Sequence, residues 1–251
     1  MHAPFSNGER MRNTIIFIFL FLFLTMAPGD AASEVIVDDM VASLGVKIML
    51  RAETKGFFFR KGGELVEFFV EGKSLGKNLS GGDGVAFKEF IPQRAGLLRV
   101  EVTSGNDRDN GALYVAKRGA QVVLIDIEGS LTEKPLMDRA KPGSADAVKR
   151  INESFPVIFL RTNILTMKAG RMWLQKQGFP PGPVLSWKGG DVFQELKDIG
   201  IRIKAVIGTP DVIKSAKTST SFFFSFDPVA EGESVDDWEK IEKKLRPSSR
   251  R

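Results

Sequence analysis

The sequence predicts two folded units of different class, an all-β sandwich followed by an α/β, Rossmann-like domain. Three observations predict this. Residues 34–117 are short β-type runs separated by glycine and polar turns. After Arg118-Gly119 the runs turn wholly apolar, as in strands buried on both faces of a parallel sheet. Stretches with helical spacing then alternate with them, the signature of a doubly wound arrangement. The expected boundaries are a signal segment at 1–31, a sandwich at 32–118, an α/β domain at 119–245 and a basic tail at 246–251.

Thr14–Met26 is a continuous apolar run preceded by Arg10 and Arg12 and followed by Ala27-Pro-Gly-Asp-Ala-Ala-Ser. This has the layout of a secretory signal, with cleavage expected near Ala31 and a periplasmic or secreted product. A helix of that length reaches about 20 Å, short of the roughly 30 Å hydrocarbon core.

The sandwich strands are expected at Glu34–Asp38, Val46–Ala52, Gly56–Arg60, Leu65–Val70, Val85–Phe90, Leu97–Thr103 and Ala112–Lys117. Val85-Ala-Phe-Lys-Glu-Phe and Leu98-Arg-Val-Glu-Val alternate, placing one face in a core and one in water. In the second half, strands are expected at Gln121–Ile125, Pro156–Leu160, Ile203–Ile207 and Ser221–Phe226. Helices are expected at Ser144–Ser154, Ile164–Gln177, Asp191–Ile199 and Asp211–Lys217, with a last one in Val235–Leu245 carrying Trp238.

Composition excludes whole chemistries. The chain has no cysteine, and its one histidine is His2. A mature protein starting near Ala32 has no thiol or imidazole, hence no Cys or Ser-His nucleophile, no Cys/His zinc site and no disulfide. Carboxylate, lysine and hydroxyl chemistry remain, with a hard ion such as Mg²⁺ as the fitting metal. Residues 240–251 contain six basic side chains and one acidic one, which equals the whole net charge of +5. The excess is local; such a tail is usually a solvated end, with peripheral contact to a membrane or envelope surface as the alternative, and no nucleic-acid motif is found.

The segment with most chemical content is Val122-Val-Leu-Ile-Asp-Ile-Glu-Gly-Ser-Leu-Thr132. Asp126 and Glu128 close a strand just before a glycine turn, where both can face one crevice, one as nucleophile and the other as general acid/base. The same spacing can equally end an ordinary Rossmann-like strand.

These residues, with Val157-Ile-Phe-Leu-Arg-Thr-Asn, Trp173-Leu-Gln-Lys-Gln-Gly-Phe-Pro-Pro-Gly-Pro-Val and Ala205-Val-Ile-Gly-Thr-Pro-Asp-Val, resemble the haloacid dehalogenase superfamily. Within it they are most similar to the C-terminal domain of lipins and phosphatidylinositol-transfer proteins. Gly82 to Val102 resembles the penultimate hairpin of bacterial immunoglobulin-like domains. The first resemblance implies an uncapped HAD-like α/β domain and a phosphatase acting through an aspartyl-phosphate on a large or membrane-presented phosphate ester. It implies Asp126 as nucleophile, Glu128 as acid/base and Ser130, Thr162 and Lys188 as phosphate-binding groups. Mg²⁺ would sit on Asp126, the Glu128 carbonyl and Asp211. The pattern departs from that family at Glu128, where Asp is usual, at Arg161-Thr162-Asn163, and at Thr209, where an acidic residue is usual. The departures imply the alternative of a catalytically impaired module that binds phosphorylated lipid head groups, phosphatidic acid among them, or a protein partner.

Overall fold

The computed structural model describes residues 34–56, 59–133, 139–162, 166–189, 191–220 and 222–246. The expected signal segment, Phe57-Phe58, Asn163 and the last five residues lie outside them. No helix among the described residues is long and apolar enough to cross a membrane.

The first half is built from β1 (Glu34–Val37), β2 (Met40–Ser43), β3 (Ile48–Lys55), β4 (Leu65–Val70), β5 (Lys73–Leu79), β6 (Val85–Phe90), β7 (Gly96–Ser104) and β8 (Asp107–Ala116). They form two sheets, ordered β1-β3-β6 and β2-β8-β7-β4-β5. Alternation does the sorting. Val66 and Phe68 of β4, and Leu98, Val100 and Val102 of β7, point inward onto Leu50 and Leu113. One expected strand is not formed: among the described residues Gly56–Arg60 contributes only a single bridge, Lys55 to Arg60. The turn from β4 to β5 has positive φ at Glu71 (51°) and Gly72 (78°), the pair of left-handed residues that a tight hairpin requires.

The second half comprises β9 (Gln121–Asp126), a π-helical turn (Ile127–Leu131), α1 (Ser144–Ser154), β10 (Val157–Arg161), α2 (Met167–Lys176) and β11 (Val184–Ser186). It continues with α3 (Asp191–Asp198), β12 (Arg202–Ile207), α4 (Pro210–Ala216), β13 (Phe223–Ser225), β14 (Glu233–Ser234) and α5 (Trp238–Leu245). Its strands make one sheet, ordered β11-β10-β9-β12-β13-β14, with every pair parallel. Central β9 is buried on both faces. Val123 and Ile125 pack under α1, α2 and α5, while Val122 and Leu124 pack under α3 and α4.

The predicted fold class is corrected. Strands hold 41% of the residues and helices 24%, distributed over three sheets, so the chain is mostly β. β11, β13 and β14 are three, three and two residues long, and the helices are short. Alternating apolar and helical periodicity fixes local elements; it does not identify the topology as HAD-like. Tyr114 and Ala116 of β8 also belong to the second core, beside Val122, Leu124 and Ile158.

A buried charge cluster joins the halves. Arg171 of α2 donates to the Val37 carbonyl (3.0 Å) and to Asp39 Oδ1 (2.8 Å), and also to Asp109. Asp39, which leads into β2, accepts from the backbone N–H of Ala112 in β8 and of Val184 in β11, both at 2.8 Å. That second bond occupies a donor on the edge strand of the parallel sheet, so the sandwich covers the edge.

The basic segment at 240–251 is in part a folded helix. Ile241 and Leu245 are buried, and Lys240, Lys244 and Arg246 pair with Asp236, Glu233 and Glu242. Residues 247–251 lie beyond the description, and three of the six basic side chains of this segment are paired on the protein.

Candidate functional site

Asp126 stands at the carboxyl end of β9, where a parallel sheet presents its functional groups. The chain then makes the π-helical turn, a rare element that is frequent at functional sites. The turn brings Glu128 back beside Asp126, and β10, paired in register with β9, ends one residue before Thr162. Three of the expected groups therefore meet. The Thr162 hydroxyl lies 3.1 Å from Asp126 Oδ1 and 3.2 Å from Glu128 Oε2, and the Thr162 N–H donates to the same Glu128 oxygen at 2.9 Å.

Asp126 is fully buried. Burial pushes its carboxyl up to about 6; the Glu128 charge adds to this, while N–H groups of Gly129 and Thr209 and the Thr162 hydroxyl pull it back. The Thr209 N–H approaches Asp126 Oδ2 at 3.4 Å. That donor was not foreseen, because a backbone group leaves no mark in sequence except the Gly208-Thr209-Pro210 punctuation ahead of α4.

The other expected groups are placed elsewhere. Ser130 is fully buried, and its hydroxyl has no hydrogen-bond partner among the described residues. The Glu128 carbonyl, the expected metal ligand, accepts from the Thr132 hydroxyl at 2.6 Å. Asp211 is exposed in the first turn of α4, and no hydrogen bond or ion pair joins it to Asp126 or Glu128. Among the described residues no group of three or more acidic, His or Cys side chains is arranged to hold a metal ion. Asp126 and Glu128 are therefore the carboxylates left for a Mg²⁺ ion, which one or two carboxylates can hold together with water and phosphate oxygens.

Lys188 is exposed and belongs to a neighbouring cleft of about 890 Å³ between the sandwich and the parallel sheet. Arg161, Ser186 and Lys188 line one wall; Met49, Arg51 and Phe87 of the sandwich line the other. The β10–β11 register sets Arg161 opposite Ser186, so Thr162 and Lys188 leave adjoining strand ends close together.

Gly129 is required by packing. A Cβ there would fall 2.3 Å from Thr209 Cγ2 and 2.5 Å from Asp126 Oδ2. Gly129→Ala is expected to destabilise the protein by about 1–3 kcal/mol, as overpacking does; urea denaturation measures it, and an unchanged midpoint would contradict the tight packing of this turn.

Comparison with known proteins gives the chain no family: no family model matches it, and no curated protein matches it. Solved structures similar to it include the D00-D0 domain of intimin, at 16% identity and TM-score 0.29, covering 37% of this chain and 51% of that one. The chain thus spans about half the length of that relative. The fibronectin(III)-like modules of Clostridium thermocellum CbhA match at 15% identity and TM-score 0.25, over 33% of this chain and 97% of theirs. A carbohydrate acetylesterase from Xanthomonas citri matches at 9% identity and TM-score 0.34, over 83% and 71%. At such scores none of them speaks to activity. The sandwich itself rests on its two sheets, β1-β3-β6 and β2-β8-β7-β4-β5, packed around one core. The resemblance to the haloacid dehalogenase superfamily and to lipin-type domains is overturned: the neighbours are immunoglobulin-like and fibronectin-like domains and an esterase, with no dehalogenase or lipin match. Short strand-end motifs such as Asp126-Ile-Glu-Gly recur by chance and did not carry the whole-domain identification.

Proposed function

We propose that this is an exported protein that recognises a phosphorylated group, a phosphatidic acid-like lipid head group in the first instance, at the carboxyl ends of β9 and β10, and holds it without breaking the ester. The observation that carries this reading is the closure of Asp126. A nucleophile must present a lone pair to its target, yet this carboxylate is fully buried, with the Thr162 hydroxyl on one oxygen and the Thr209 N–H facing the other. Thr162 and Lys188, on adjoining strand ends, supply a hydroxyl and an ammonium suited to phosphate. Export rests on the apolar Thr14–Met26 segment and its basic flank.

A second reading, a Mg²⁺-dependent phosphohydrolase, is favoured by the convergence of Asp126, Glu128 and Thr162 from separate strand ends. One experiment separates the two. Residues 32–251 are incubated with Mg²⁺ and an aryl phosphate beside Asp126→Asn; equal background rates are expected. Hydrolysis that disappears in the variant would overturn the binding reading and establish the second. In parallel, sedimentation with liposomes is expected to require phosphatidic acid and to weaken in Thr162→Val. Sedimentation indifferent to lipid composition would refute head-group recognition.

A further inference from the structure

The outer face of the β1-β3-β6 sheet should be polar wherever it meets water, and part of it is not. Along β3 the outward positions are Met49, Arg51, Glu53 and Lys55; on β6 they include Phe87 and Glu89. Met49 and Phe87 are each nearly half exposed (46% and 45%), and both line the cleft that faces the parallel sheet. Met40, Met167, Leu185 and Ile199 complete an apolar lining from both halves. Methionine is the side chain that best adapts to flexible apolar ligands.

Charge in the cleft is unbalanced toward cations. Arg51 and Arg60 both donate to Glu53 Oε1, at 2.6 and 2.8 Å, and Lys55 stands 3.9 Å from Oε2. Arg51 also pairs with Asp38, so three cations share two carboxylates. Asp39, the third acid, is already held by Arg171. Across the cleft, Lys188 enters no ion pair or hydrogen bond among the described residues, with Glu195 the remaining acid of that wall. The volume, about 890 Å³, lies within the range of small-molecule sites.

We propose that this cleft binds a single-chain amphipathic anion, its carboxylate or phosphate head at Lys188 and its alkyl chain laid over Met49 and Phe87. The head is recognised by a cation that lacks an internal partner, and the chain covers apolar surface otherwise left in water. The site shares only Lys188 with the crevice at Asp126.

Calorimetry of residues 32–251 with dodecanoate and dodecyl phosphate, below their micelle concentrations, tests this. Saturable one-to-one binding is expected for both, with the stronger of the two identifying the preferred head. Uncharged dodecyl maltoside and inorganic phosphate are expected to bind at least about tenfold more weakly, since each lacks half of the recognition. Phe87→Asp, on an exposed position, should lower affinity for both anions at least about tenfold by putting a charged, hydrated group where the alkyl chain lies. Met49→Glu should do the same, and Lys188→Glu should remove the preference for anions. Sedimentation of Phe87→Asp with phosphatidic acid liposomes should stay at the unsubstituted level, which separates failure of this inference from failure of the head-group reading. Absence of binding by either anion, equal affinity for the maltoside, or unchanged affinity in folded Phe87→Asp and Met49→Glu would overturn it.

Discussion

Replacing Arg171 by methionine is expected to destabilise the protein by about 3–5 kcal/mol, the cost of removing one member of a buried ion cluster. Arg171 is mostly buried and its partners more so; Asp39 has no exposed side-chain surface. Methionine fills much of the arginine stem's volume, so the loss isolates the charge and the hydrogen bonds. Asp39 would keep two backbone donors, from Ala112 and Val184, but lose the cation that offsets its burial. Its carboxyl already sits at about 6, raised by burial against the pull of Arg171. Without the guanidinium it should rise further and become protonated near neutral pH. Urea denaturation at pH 7.5 measures the effect. Arg171→Lys should lie between the wild type and Arg171→Met, because a point charge cannot reach Asp39, Asp109 and the Val37 carbonyl together. A methionine variant as stable as the wild type would show that the cluster contributes nothing net.

Asp126→Asn is expected to be more stable than the wild type at pH 7.5 and equal to it near pH 4. The folded-state value for Asp126 is about 6 against 3.8 for the free side chain. The folded protein therefore holds this proton more tightly than the unfolded chain does. Its contribution to stability is complete below about 3.8, is lost as pH rises through 6, and does not change above that. A displacement of about two pH units corresponds to roughly 3 kcal/mol as an upper figure. Asparagine imitates the protonated acid. Its amide can donate to the Thr162 hydroxyl, which then donates to Glu128, while its carbonyl still faces the Thr209 N–H. Denaturant midpoints at pH 4.0, 5.5 and 7.5 test this. A variant that is weaker at every pH would show that the charged carboxylate is the stabilised form. A gain at neutral pH would mark Asp126 as a residue that lowers stability where it stands, as functional groups often do.

How much of this was legible in the sequence differs by the range of the interaction. β4, β6 and α1 fall at the expected bounds because period-2 and period-3.6 patterns are local. β5, Lys73-Ser-Leu-Gly-Lys-Asn-Leu, escaped because a largely exposed edge strand has no apolar face to alternate. β11 and β14 were too short to show a period. Asp126, Glu128 and Thr162 were readable together because each sits at or just past the carboxyl end of an apolar run. Asp211 carried the expectation of a shared metal site, yet the turn from Thr209 into α4 leaves it exposed. The Asp39–Arg171–Asp109 cluster was invisible, since its members are 132 and 62 positions apart along the chain. Family resemblance failed for a related reason: it rested on short stretches, at strand ends and in the segment from Trp173 to Val184, which many folds can share.

The membership of β8 in two cores bears on the order in which the chain is made. Residues up to 118 leave the ribosome first, and with them Tyr114, Ala116 and the partly buried Val41, whose packing partners lie in β9 to β12. Until residue 207 has emerged, that flank of the sandwich is uncovered and adhesive. A fragment ending at 118 should accordingly associate with itself or require a holding chaperone, although it contains every sandwich strand.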